Sequence, residues 1–109
     1  MKAESITFDY LEEKIKDWAN KRGLLENPKP KKQALKSLEE VNELLEALED
    51  NDSDAIIDAV GDTMVTLMVL CQQLDLSLLG CLYEAYNVIK DRNGKLINGT
   101  FVKEEDLKK

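Results

Sequence analysis

The chain contains no histidine, and this excludes a large group of functional sites at once. Ser–His and Cys–His nucleophile pairs, histidine general bases and histidine-ligated zinc sites all require that side chain. Only 2 cysteines occur among the 109 residues, Cys71 and Cys81, and they form no C-x-x-C motif. They predict buried thiols in a reducing compartment rather than a disulfide framework or a zinc site.

Long apolar runs and an excess of basic residues are also absent. The N-terminal segment has no apolar stretch of the kind found in secretory signals. The longest uncharged run, residues 63–74, is too short to span a bilayer. The net charge of −7 disfavours general nucleic-acid binding, which needs a basic surface. We therefore expect a cytoplasmic protein that binds neither a membrane nor a nucleic-acid polymer.

The acidic residues are concentrated in the middle of the chain. No lysine or arginine occurs between Lys36 and Lys90, and this segment carries twelve acidic residues. Solvated helices usually intersperse the two signs, because Glu–Lys pairs one turn apart stabilise a helix. The basic flanks, solvent counterions or a bound metal ion could each relieve the repulsion in this segment.

The hydrophobic periodicity predicts an all-α protein with a single domain over residues 1–109. Helices are expected at about residues 5–22, 31–49, 54–74 and 77–92, followed by a tail over 95–109. Ser5 or Thr7 is suited to cap the first helix, and Asn98-Gly99 is a type I′ turn signal. Short loops favour an antiparallel four-helix bundle-like protomer that ends in a short hairpin or an extended tail.

The helices differ in how much apolar surface they carry. The first helix has an apolar stripe formed by Phe8, Leu11, Ile15 and Trp18. The stripe of the second helix is Ala34, Leu38, Val41, Leu45 and Leu48. The third helix is apolar on nearly every side, which predicts that it is the central and most buried one. Three neighbours with narrow stripes cannot cover it fully, so an oligomer is expected.

Asp58 and Asp62 are the most specific signal for a functional site. They lie one turn apart on one face of the most apolar helix, with no basic residue near them in sequence. Burying unpaired carboxylates is costly, so these two favour a bound cation. Two alternatives remain open: the pair forms an exposed stripe, or it pairs with Lys90 or Arg92 across the bundle.

The second helix contributes the motif Glu40-x-x-Glu43. This spacing is common on solvated helices, but carboxylates on facing helices of a bundle are a known way to build a metal site. Together with Asp58 and Asp62, the motif predicts an all-oxygen donor set, which suits Mg²⁺ or Mn²⁺.

A magnesium site of this kind usually takes substrate phosphates as further ligands. Candidate phosphate-binding residues at the edges of the acidic segment are Lys36, Asn87, Lys90, Arg92 and Lys95, with Lys29, Lys31 and Lys32 in the proline-containing loop. For each of them a solvated side chain is the alternative. No glycine-rich phosphate-binding motif is present.

At these residues the chain resembles the MazG-like family of all-α nucleoside triphosphate pyrophosphohydrolases, and most closely its short bacterial and phage members. The matching segments are residues 36–44, 58–62 and 86–92. In that family an E-x-x-E motif and an E-x-x-D motif on consecutive helices bind Mg²⁺. The metal activates a water molecule, which releases pyrophosphate and leaves a nucleoside monophosphate. The resemblance also implies a dimer or a tetramer.

The motifs transfer to this chain with one departure. Glu40 and Glu43 match the first motif, and Asp62 matches the last acid of the second. The first acid of the second motif falls on Ala59, and Asp58 offers a carboxylate one position earlier.

The resemblance also implies a phosphate-binding role for Lys36, Asn87 and Lys90. It places the base against an aromatic residue of the first helix, with Phe8 and Trp18 as candidates and burial in the core as the alternative for both. A spare carboxylate, Glu39 or Glu46, is available to orient the attacking water.

Three hypotheses follow. The leading one is an enzyme, a Mg²⁺-dependent pyrophosphohydrolase acting on a nucleoside or deoxynucleoside triphosphate. The second is a module of the same fold that binds nucleotide or metal without turnover, which the departure at Ala59 motivates. The third is a purely structural helical oligomer with acidic surface stripes.

Overall fold

The computed structural model describes residues 6–107, most of which are helical. The helices are α1 (Phe8–Lys21), α2 (Pro30–Glu49), α3 (Ser53–Gln73), α4 (Leu78–Ile89) and the short α5 (Glu104–Leu107). Between α4 and α5, strands β1 (Gly94–Ile97) and β2 (Thr100–Lys103) form an antiparallel hairpin. The predicted helical class is confirmed, and the C-terminal segment is a hairpin rather than an extended tail.

Local sequence signals set the helix ends. The Thr7 side chain accepts a hydrogen bond from the Tyr10 amide and caps α1, while the alternative cap, Ser5, lies outside the described residues. Asp52 caps α3 by accepting from the Ala55 amide. Pro30 occupies the first turn of α2, where its missing N–H costs little. The helices begin and end close to the predicted positions, although α1 starts later and α4 ends earlier than expected.

The chain divides into two compact units, with the boundary after Leu78. In the first unit α3 packs against both α1 and α2. Most of the buried residues lie on α3, which confirms its predicted central place in this unit: Ala59, Thr66, Met68, Val69 and Cys71 are buried, together with Ala19 of α1 and Ala47 of α2. The four-helix bundle and the single domain stay predictions.

The apolar stripe of α2 is not covered within residues 6–107 of the chain. Leu38, Leu45 and Leu48 are 57%, 59% and 51% exposed. Buried atoms on α2 belong instead to another side of the helix, which carries Ser37, Glu40 and Ala47. An apolar stripe indicates which side of a helix avoids water, but it does not say whether the same chain covers that side.

The second unit confirms the Asn98-Gly99 turn signal. Ile97 pairs with Thr100, so the hairpin loop has two residues. Asn98 and Gly99 have φ values of 50° and 80°, the positive values that a type I′ turn requires. Cys81, also in this unit, is exposed while Cys71 is buried, so the prediction of buried thiols holds only for Cys71.

Within residues 6–107, no single helix is both long enough and apolar enough to cross a bilayer. The segments of α3 and α4 reach that length and hydropathy only when they are taken together.

Candidate active site

A cavity of about 1010 Å³ opens in the first unit between α1, the loop after it, the start of α2, and α3. One face of α3 lines it with Asp62, Val65, Thr66, Val69 and Gln73. The other helices contribute Lys14, Ile15 and Trp18 from α1, its C-cap residue Arg22, and Gln33, Lys36 and Glu40 from α2. Asp62 and Gln73 mark the two ends of the α3 face, about 16 Å apart along the helix axis.

Four carboxylates, Glu40 and Glu43 of α2 with Asp58 and Asp62 of α3, interact with one another at the Asp62 end of the cavity. We call them the carboxylate cluster. Burial raises the pKa of Glu40, and the neighbouring Glu43 and then the charge of Asp62 raise it further. Burial likewise raises the pKa of Asp62, with Asp58 and Glu43 adding to the effect. Electrostatic interactions therefore connect the four residues that the sequence predicts as metal ligands.

The chemistry of the carboxylate cluster fits a hard divalent cation. Its donors are all oxygen atoms, as Mg²⁺ prefers. Glu40 Oε2 is buried and has no hydrogen-bond partner, and a bound cation would satisfy this atom and relieve the repulsion within the cluster. Among residues 6–107, however, no three acidic side chains converge as they do in an assembled metal centre. Coordination therefore requires side-chain rotations within the cluster.

Lys36 is a cation that interacts with the carboxylate cluster. Its Nζ lies 3.0 Å from Glu39 Oε2. The hydrogen bond and charge of Glu39 raise the pKa of Lys36, and the charges of Glu40 and Glu43 also contribute. Lys36 lines the cavity, whereas Glu39 is exposed and does not. The predicted water-orienting carboxylate is thus held beside the site by the predicted phosphate-binding lysine.

Trp18 lines the same cavity and is 41% exposed, so the alternative that it is a core residue is wrong. The Arg22 guanidinium lies 4.4 Å from the centroid of the Trp18 ring, and its Nη1 donates a hydrogen bond to the Trp18 carbonyl. This cation–π contact covers part of the ring. Phe8, the other aromatic candidate, is half-buried and does not line the cavity.

Several cavity residues are missing from the sequence predictions. Lys14 and Arg22 are basic, and Gln33 and Gln73 each carry a carboxamide. For the two glutamines, the sequence does contain a signal, because each continues a line of polar or site residues at helical spacing. Gln33 precedes Lys36 and Glu40 at helical spacing on one side of α2, and Gln73 extends the α3 face that begins at Asp62. Lys14 and Arg22 could be found only by knowing which side of α1 and of its C-cap faces α3.

Of the other predicted phosphate-binding residues, Lys29 and Lys32 line the cavity, Lys31 also lies in the first unit, and Asn87, Lys90, Arg92 and Lys95 lie in the second unit. Asn87 is partly buried on α4, and Lys90 and Arg92 follow that helix with exposed side chains. A hydrogen bond from Lys103, and its charge, lower the pKa of Glu105, with a smaller contribution from Arg92. The roles of Asn87, Lys90 and Arg92 stay predictions.

The model of the phosphoribosyl-ATP pyrophosphohydrolase family matches residues 9–93, a range that includes Trp18 and the whole carboxylate cluster. The chain belongs to this family. The family is part of the MazG-like superfamily of all-α nucleoside triphosphate pyrophosphohydrolases, so the resemblance is confirmed at the level of the superfamily. Its members are hydrolases that act on phosphoric anhydrides.

A phage protein is among the relatives of the chain. An uncharacterized 18.2 kDa protein of Haemophilus phage HP1, from the rep-hol intergenic region, is 39% identical over 59 residues, or 54% of this chain. The match covers 36% of the phage protein, so the chain spans little more than a third of that relative. No solved structure matches the chain.

Proposed function

We propose that this pyrophosphohydrolase-family chain is a Mg²⁺-dependent enzyme that converts a nucleoside or deoxynucleoside triphosphate to the monophosphate and pyrophosphate. The observation that carries the proposal is the carboxylate cluster at one end of a cavity whose lining also includes Lys14, Arg22, Lys29 and Lys32. Acidic and basic residues lining one cavity suit a metal–polyphosphate complex, because the metal needs carboxylates and the phosphates need cations.

In this proposal Glu40, Glu43, Asp58 and Asp62 hold Mg²⁺, or Mn²⁺ as a substitute. When bound, the metal neutralises charge on the phosphates and lowers the pKa of a coordinated water molecule. Lys36 binds a phosphate oxygen, and Glu39 orients the attacking water and accepts its proton. The Lys36–Glu39 ion pair supports this pairing of roles, because it holds a donor for phosphate and an acceptor for water side by side.

Ala59 bears on whether the departure from the family motif prevents catalysis. Ala59 is 5% exposed and belongs to the core of the first unit. The charge of the neighbouring Asp58 contributes to raising the pKa of Asp62, after burial. Asp58 can therefore supply the carboxylate that position 59 lacks.

The other substrate contacts and the assembly belong to the same proposal. Asn87, Lys90 and Arg92 bind further phosphate oxygens, and Trp18 stacks on the base. The chain works as a homo-oligomer, a dimer or a tetramer, in the cytoplasm. The exposed apolar side of α2, which includes Leu38 and Leu45, supports the oligomer because apolar stripes of this kind mark protein contacts. Neither a membrane nor a nucleic-acid polymer is a partner.

A panel of substrates tests the proposal. Ribonucleoside and deoxynucleoside triphosphates, together with phosphoribosyl-ATP, are incubated with the protein and Mg²⁺, Mn²⁺ or a chelator. We expect monophosphate and pyrophosphate from at least one triphosphate, with metal only. Phosphoribosyl-ATP is included because the family carries its name.

Other results of the panel separate the alternatives. Release of diphosphate and inorganic phosphate would contradict the proposed bond cleavage. Nucleotide binding by calorimetry without any product would support a non-catalytic module, for which the lack of three converging acidic side chains within residues 6–107 is the structural argument. If the protein neither binds nucleotide nor forms product, the purely structural helical oligomer is the remaining hypothesis.

A further inference from the structure

α4 is an apolar helix that nothing in its own unit covers. Its only charged residue is Glu84. None of its residues is buried, and Leu82 and Tyr83 are 58% and 63% exposed. Within the described residues 79–107, α4 packs against neither strand of the hairpin nor α5. A lone helix of this length is marginally stable in water even when it is built from the best helix formers, so α4 needs a partner surface.

The exposed side chains of α4 form one continuous face. They recur at spacings of three and four residues, which places them along one side of the helix. We call this set the α4 stripe: Leu79, Leu82, Tyr83, Tyr86 and Ile89. Glu84 lies on the opposite side of the helix.

α2 carries a second exposed apolar face of similar length. We call it the exposed α2 stripe, and its members are Leu35, Leu38, Val41, Leu45 and Leu48. It extends about 20 Å along the helix axis, and the α4 stripe extends about 15 Å. The two surfaces therefore match in length and in chemistry.

The area of the two stripes indicates that both belong to one interface. Their side chains are about half exposed, so each stripe offers roughly 500 Å² of surface per chain, and the two together offer roughly 1,000 Å². A stable interface buries about 800 Å² per partner. Neither stripe reaches that area alone, whereas the two together do.

The charges beside the stripes decide which surfaces pair. Every charged residue of α2 after Lys36 is a glutamate, so two α2 stripes placed face to face would bring only acidic groups together. α4 has no basic residue, but Lys90 and Arg92 follow it directly. Packing α4 against α2 thus brings a basic segment toward an acidic helix.

We infer that two copies of this chain associate reciprocally, with the α4 stripe of each copy packed on the exposed α2 stripe of the other. This inference rests on the homo-oligomer of the proposed function and names the surfaces that form it. A two-fold symmetric pair makes this contact twice, so both stripes of both copies are covered at once.

Photo-cross-linking tests the pairing in a chain that is otherwise unchanged. Tyr86 lies at the centre of the α4 stripe and is replaced by p-benzoylphenylalanine, a photoreactive residue close to tyrosine in shape. Isotopically heavy chains that carry this residue are refolded together with light wild-type chains, irradiated, digested and analysed by mass spectrometry. We expect cross-links from heavy position 86 to light residues 35–48. The same replacement at Glu84, on the opposite side of α4, should lose them.

The mass of the intact protein gives an independent readout. Light scattering should find at least twice the mass of one chain. Leu45→Glu on α2 and Leu82→Glu on α4 should each weaken association at least about thirtyfold, because each places a charge in an apolar interface. Leu96→Glu is the matched control, since Leu96 lies on β1, is 75% exposed and belongs to neither stripe. This control should associate like the wild type.

Three results would overturn the inference. Cross-links from heavy position 86 to light α4 would show that identical stripes pair, and cross-links confined to peptides of the heavy chain would show that no second copy covers α4. A wild type with the mass of one chain would exclude the pairing altogether. The substrate panel distinguishes this inference from the proposed hydrolase. Cross-paired chains without product would refute hydrolysis alone, and a single chain that forms product would refute the pairing alone.

Discussion

Asp62→Asn is expected to lower Mg²⁺-dependent hydrolysis about a thousandfold, since removing a metal ligand removes several kcal/mol of charge stabilisation in the transition state. The same substitution should not destabilise the metal-free protein. Burial and the charges of Asp58 and Glu43 raise the pKa of Asp62, so its ionised form is unfavourable in the folded chain. Asparagine keeps the shape and removes that charge.

Measurement of kcat and KM alongside chemical denaturation in chelator separates the two effects. Glu49→Gln is the control, because Glu49 is the last residue of α2 and lies beyond the carboxylate cluster. The control should retain its activity. Full activity in Asp62→Asn, or an equal loss in both variants, would contradict a role for Asp62 in metal binding.

The metal-free protein is expected to gain stability from the carboxylate cluster as the pH falls from neutrality. Burial and neighbouring carboxylates raise the pKa values of Glu40 and Asp62 in the folded state. Between the unfolded and the raised folded values, the native chain binds more protons than the unfolded chain, so stability decreases as the pH rises. Above the folded pKa values this loss is complete.

The contribution of the cluster is isolated by comparing the wild type with the double variant Glu40→Gln, Asp62→Asn. Thermal melting in chelator from about pH 4 to about pH 8 should show a larger gain on acidification in the wild type than in the variant. Adding Mg²⁺ should reverse the trend, because the metal binds the ionised carboxylates and is released as they are protonated. Parallel pH profiles for the two proteins would show that ionisation of Glu40 and Asp62 does not lower the stability of the folded chain.

The features that the sequence predicts well depend on short-range interactions. Thr7 caps α1 through a bond to the amide three residues away, and Asn98 and Gly99 both have the positive φ values of their two-residue turn. Asp58 and Asp62 lie one turn apart on α3, which fixes their relation before any packing. Such features are encoded in a few neighbouring residues, so they can be predicted from them.

The features that the sequence does not predict depend on which helix faces pack against each other. The apolar stripe of α2, with Leu38 and Leu45, is exposed, and the helix buries atoms of Ser37 and Glu40 instead. Periodicity identifies the apolar side of α2 but not the partner that covers it. The position of Gln73 in the cavity likewise depends on the loop carbonyl of Leu24, far away in sequence. The carboxylate cluster was predictable because α2 and α3 are joined by a short turn, which makes them antiparallel neighbours.

Thermal melting with Mg²⁺ tests most directly whether the four carboxylates bind a divalent cation. At a concentration about a hundredfold above the dissociation constant, Mg²⁺ should stabilise the wild type and Glu49→Gln by about 2.7 kcal/mol, a shift in Tm on the order of 10 °C. Asp62→Asn should show little shift. The absence of a shift in the wild type, with and without nucleotide, would contradict the metal site and the hydrolase built on it.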